Sequence, residues 1–118
     1  MKSGNLRQGI PADLPEELSE VLASGTGSFR LERIVSRNHA SPEGFWYEEE
    51  TAEWVGLISG AAVLRFEDGE TVAMSPGDWI EIPPRVRHRV ESTSSTEDSV
   101  WLALHWSGGV ESPDITGE

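Results

Sequence analysis

The sequence predicts an all-β domain, an antiparallel β-barrel or jelly roll with a short helix ahead of it. Three observations carry this. Apolar and polar residues alternate through about eight short stretches, the period of strands in which successive side chains face opposite ways. Turn-forming residues separate the stretches. Asp68-Gly69 is the strongest hairpin signal among them, read as a type I′ turn with positive φ at both central positions.

The helix comes first. From Pro11 to Gly25, Leu14, Leu18, Val21 and Leu22 recur at helical spacing, Pro15 suits the first turn, and Gly25 and Gly27 supply the stop. The period then becomes two, with Phe29, Leu31, Arg33 and Val35 alternating with Arg30, Glu32, Ile34 and Ser36. A loop around Pro42 and Gly44 leads to short strands at Phe45 to Glu48 and Glu53 to Ile58. Ser59-Gly60 turns the chain into Ala61 to Phe66, and Thr71 to Met74 returns from the Asp68-Gly69 hairpin. Trp79 to Ile82, Val86 to Glu91 and Val100 to Trp106 complete the set. The expected organisation is an N-terminal segment over 1–27, the barrel over 28–106 and a flexible tail over 107–118.

The length of 118 residues holds one core rather than two. Five tryptophans can each bury on the order of 200 Å². Ile34, Trp79 and Trp101 are expected to face outward and cover an interface, which predicts a homodimer. With no cysteine there is neither a disulfide nor a thiolate nucleophile. A net charge of −12 argues against nucleic acid and against an anionic membrane surface, and it fits a partner that is a small molecule. No apolar run of about 18 residues exists, and no apolar stretch follows Lys2 and Arg7, so no membrane span or signal peptide is predicted and the location is expected to be cytoplasmic.

Three passages give the chain its family resemblance: Glu53 to Gly60, with a glutamate and the glycine of a turn; the turn Ser75-Pro76-Gly77-Asp78; and the run of Gly77, Pro83 and His88. In this order, separated by the Asp68-Gly69 hairpin, they resemble the two motifs of the cupins over roughly Arg30 to Trp106. Gly44 to Tyr47 is similar to a Gly-Phe-Trp-Tyr stretch in small single-domain cupins. The resemblance implies a metal held by three histidines and a glutamate inside the barrel. Of those positions this chain keeps only Glu53 and His88. The two remaining places hold Trp46 and Glu48, or Tyr47 and Glu49 if the gap to Glu53 is one residue shorter.

Residues two apart on a strand share a face, so Trp46 and Glu48 are expected to line a pocket with Glu53 and His88. Glu48, Glu53 and His88 form the candidate metal set, suited to Fe(II), Mn(II) or Zn(II). His105 is the candidate fourth ligand or catalytic base, since imidazole titrates near neutrality. The functional reading is a pocket for a small polar molecule, with oxidation, isomerisation or lyase chemistry if a metal is held. The alternative is a metal-free binding or sensor module, with Glu48-Glu49-Glu50 as a solvated acidic loop and His88 as a hydrogen-bonded core histidine. Arg85, Arg87 and Arg89 alternate with Val86, His88 and Val90 and read as outward charge balance.

Overall fold

The computed structural model describes residues 1–108. Eight strands run in chain order: β1 (Ser3–Asn5), β2 (Phe29–Ser36), β3 (Ala52–Ser59), β4 (Ala62–Phe66), β5 (Thr71–Met74), β6 (Asp78–Ile82), β7 (His88–Thr93) and β8 (Ser99–Trp106). They form a five-stranded sheet in the order β1-β6-β3-β8-β2 and a three-stranded sheet in the order β5-β4-β7, with every pairing antiparallel.

The facing sides of the two sheets supply the core. Val55, Leu57, Ile80, Ile82, Trp101 and Ala103 come from the larger sheet, and Ala62, Leu64, Phe66 and Met74 from the smaller. Removing such side chains from water is the main force closing the two layers, at about 25 cal/mol per Å² of apolar area. Gly60 allows the tight passage from β3 to β4. Its φ is 86°, and a Cβ there would sit 2.5 Å from Ser99 Cα, so only glycine fits.

Five expectations need correction. No helix forms among the described residues; residues 11–28 are irregular, and Ala23 to Gly27 lie beside Leu104 and Trp106 of β8. Leu14, Leu18 and Val21 stay exposed, so the apolar stripe finds nothing to pack on, and a short unpacked helix does not repay its nucleation cost. The segment is instead tied down in non-helical form. Gly25 lies so close to Trp106 that a Cβ would meet the ring at 2.2 Å, and the Gly108 N–H donates to the Thr26 carbonyl at 2.7 Å.

The sheets do not close into a barrel. Among the described residues β2 and β7 do not pair with each other, and the Pro42- and Gly44-containing connection between β2 and β3 runs beside β7, with the Ser41 N–H donating to the Val90 carbonyl. The strand expected over Phe45 to Glu48 reduces to one bridge, in which Tyr47 and His88 exchange backbone hydrogen bonds of 2.7 and 3.1 Å.

The Asp68-Gly69 hairpin forms, but not as a type I′ turn. Only Gly69 has positive φ (95°), and Phe66 bonds to both Gly69 and Glu70, the pattern of a three-residue loop with a glycine bulge.

Ile34, Trp79 and Trp101 do not form an outward face. Trp101 is 3% exposed within the core, and its indole N–H donates to Ser36 Oγ at 3.2 Å. Trp79 faces away from the core but is covered by β1, with Gly4 against its ring and Trp54 stacked beside it at 5.8 Å. Ile34 lines the open cavity and keeps 40% exposure there, while Phe29, Leu31 and Val35 are exposed on the other face of β2. The tail expected from Ser107 lies, after Gly108, outside the described residues.

Candidate functional site

A cavity of about 410 Å³ opens between the two sheets on the side of the edge strands β2 and β7. Strand register assembles its polar end. Arg30 on β2 and Glu53 on β3 flank His105 on the intervening β8, and Glu53 is in turn opposite Ile82 on β6. Paired residues face the same side of a sheet, so the basic, imidazole and carboxylate groups emerge together.

Glu49 joins them from the connection before β3, where its carbonyl accepts the Arg85 N–H at 2.7 Å. One donor atom from each of Glu49, Glu53 and His105 lies within 4.8 Å of the other two. His105 Nδ1 is 3.5 Å from Glu49 Oε1, and its Nε2 is 3.5 Å from Glu32 Oε1 and 3.8 Å from Glu53 Oε2. His105 is buried, and its Nδ1 has no hydrogen-bond partner among the described residues. A buried nitrogen left so is costly unless something else occupies it.

His88 approaches Glu53 from the opposite sheet. Its Nδ1 lies 2.9 Å from the Val86 carbonyl, which requires the proton on Nδ1 and turns Nε2 toward Glu53 Oε1 at 3.5 Å. Tyr47 stacks on the ring at 5.5 Å, and Phe66 flanks it at 6.2 Å. Burial pushes the His88 pKa down. The hydrogen bond to Glu53, the Val86 carbonyl and the charges of Glu53 and Glu49 outweigh it, so the pKa is raised.

Glu53, His88 and His105 therefore meet at the cavity, while Trp46 and Glu48 do not line it. Both lie beside the arginines of the β7 segment. Arg87 and Arg89 stand over the Trp46 ring at 5.8 and 6.0 Å, and Glu48 lies 3.7 Å from Arg87. The cavity-facing pair is Tyr47 and Glu49, set by the Tyr47–His88 bridge. Charge balance accounts for the arginines: Arg85 pairs with Glu50, Arg87 with Glu67, and Arg89 with Glu91. Arg30 and Glu32 are further site residues that sequence reading missed. The available signal was that β2's alternation offers two sets, one of which carries charge at successive same-face positions.

Comparison with known proteins decides the family. The family model described as "Cupin domain" matches residues 38–105. The chain belongs to the cupin family. Over 92% of its length this cupin is 40% identical to a solved Ralstonia eutropha JMP134 protein, provisionally named a mannose-6-phosphate isomerase; the match covers 100% of that chain with a TM-score of 0.66. A cupin protein from Bacteroides fragilis shares the fold at 19% identity and TM-score 0.59, with 87% of this chain and 93% of that one covered. The plu4264 protein from Photorhabdus luminescens does so at 20% identity and TM-score 0.55, over 88% and 72% of the two chains. Among curated proteins no match is found.

Proposed function

We propose that this cupin holds a divalent cation on Glu49, Glu53 and His105 and acts on a small polar molecule in the adjoining cavity, with isomerase-type proton transfer as its chemistry. The observation that carries the reading is the convergence of two carboxylates and a buried imidazole whose Nδ1 lacks a partner among the described residues. The mixed oxygen and nitrogen donors fit Mn(II), Fe(II) or Zn(II) rather than a hard cation that prefers oxygen alone. The Ralstonia relative's name, at 40% identity, supports an isomerase over the other chemistries open to the fold.

When bound, such an ion polarises a carbonyl or hydroxyl oxygen as a Lewis acid. The chain's own residues supply the rest. His88, anchored by Val86 and stacked on Tyr47, orients the Glu53 carboxylate and, in its protonated form, carries an exchangeable proton at Nε2. Arg30, bonded to Glu32 at 2.9 Å and 3.9 Å from Glu49, offsets the charge of the carboxylates at the mouth. Val55, Leu64 and Trp101 form an apolar wall that excludes water from part of the cavity.

Metal analysis of protein purified without chelator tests the reading. Wild type and Glu48→Gln are expected to carry near-stoichiometric metal, and Glu53→Gln and His105→Ala to lose it. Equal metal in all four would overturn the site. A ligand-induced thermal shift unaffected by chelator would favour the metal-free binding module instead.

The proposal includes a homodimer. Among the described residues β2 is an unpaired eight-residue edge whose Phe29, Leu31 and Val35 are 74%, 61% and 47% exposed, whereas edges left free are ordinarily short, charged or covered.

A further inference from the structure

We infer that the end of the cavity remote from the Glu49–Glu53–His105 cluster recognises an oxyanion, a carboxylate or phosphate carried by the small molecule that enters it. This rests on the reading of the cavity as a small-molecule pocket and assigns the chemical class of its ligand.

Ser36, His39 and Ser41 line that end, and they share a hydrogen-bonding state. In each, the acceptor atom is already engaged by an N–H donor. Ser36 Oγ accepts the Trp101 indole N–H at 3.2 Å, His39 Nδ1 accepts the Arg37 N–H at 2.8 Å, and Ser41 Oγ accepts the Val90 N–H at 3.0 Å. Each side chain still has a proton to give, and each serine hydroxyl keeps one further lone pair. The hydroxyls of Ser36 and Ser41 can donate, and acceptance at Nδ1 puts the proton of the neutral His39 ring on Nε2. None of these three protons has a partner among the described residues.

The local backbone holds the arrangement. Asn38 takes the left-handed conformation (φ 60°), which an asparagine tolerates better than most residues, and the turn folds His39 back onto Arg37. Ser41 is clamped to β7 through its own N–H to Val90 and through the Arg89 guanidinium on its carbonyl. Asp98, the carboxylate beside this turn, is tied in two bonds of 2.7 and 2.8 Å to Arg37.

The two ends of the cavity are thus opposite in kind. Glu32, Glu49 and Glu53 present acceptors at one, and three unspent donors stand at the other. Trp101, which carries Ser36, stands four residues along β8 from His105, roughly 13 Å at the rise of a strand. A molecule reaching from cluster to donors is therefore elongated. Its far end must accept hydrogen bonds, and a charged acceptor makes the stronger ones.

The test uses full-length, isotope-labelled protein with chelator present, titrated with inorganic phosphate and, separately, with acetate, and followed by amide chemical shifts. Saturable shifts centred on Ser36, His39 and Ser41 are expected, with affinity at least fivefold weaker in Ser41→Ala and His39→Ala but unchanged in Arg85→Gln, whose side chain pairs with Glu50 and does not line the cavity. The tighter of the two ions identifies the group. His39 is exposed, so its variant keeps the fold, and the wild-type titration decides alone if Ser41→Ala does not fold. No saturable shift, shifts centred on Arg30, or wild-type affinity in the two donor variants would overturn the inference. Manganese binding is measured on separate samples. Retained manganese without an oxyanion response sinks this inference alone, and an oxyanion response without manganese binding sinks only the cation site.

Discussion

Glu48 and Glu49 are neighbours of the same chemistry in different surroundings. Glu48 is spent on Arg87 beside the β7 arginines, while Glu49 lies 3.5 Å from the buried His105. Glutamine at Glu49 is therefore expected to weaken manganese binding at least tenfold, and glutamine at Glu48 to leave it within twofold; isothermal titration of both variants checks this. His88 adds a pH dependence in metal-free protein. Its folded pKa is raised above the ordinary 6.5, so its stabilising contribution is fully present below the unfolded pKa. That contribution is lost as pH rises through the higher folded value. Denaturant midpoints of wild type relative to His88→Gln should fall across that window, and a flat difference would contradict the Glu53 pairing.

Among the elements, the β3–β4 and β4–β5 turns contrast usefully. Gly60 and Gly69 both have positive φ, 86° and 95°, but a Cβ at Gly60 meets the Ser99 and Asp98 backbone, while nothing lies within 4 Å of one at Gly69. Gly69→Ala carries only the left-handed strain of about 1–2 kcal/mol. Gly60→Ala adds displacement of β8 and should lower the thermal midpoint clearly further, as calorimetry of the two variants would show. β2 teaches a different lesson. Its apolar residues Phe29, Leu31 and Val35 are exposed, while Arg30, Glu32 and Ser36 line the cavity. Binary patterning fails there because the strand borders a polar cavity instead of packed core.

For the whole molecule, cation binding and folding are linked. An ion at a hundred times its dissociation constant adds about 2.7 kcal/mol, so manganese should raise the melting temperature of wild type by several degrees and leave Glu53→Gln unmoved. Sedimentation at micromolar concentration should show a species of about twice the 13.0 kDa chain mass, and a single 13.0 kDa species would remove the dimer. Within the fold, strands form where the sequence reads them at Phe29–Ser36, Thr71–Met74 and, with small end shifts, at five other places. Local signals sufficed for these because alternation and turn chemistry are encoded within a few residues. β1 carried no such signal in three residues, and the helical spacing after Pro11 lacked a surface to pack on.

The pocket divides the same way. Sequence by itself determined an all-β chain with cupin motif spacing and, with Glu53, His88 and His105, three residues of the cavity. Only the tertiary structure decided that Glu49 rather than Glu48 faces His105, that β2 turns its charges inward, and that Ser36, His39 and Ser41 share one wall. The reason is register. A shift of one residue reverses every side chain of a strand, and the bond that sets it here, Tyr47 to His88, spans 41 residues of sequence.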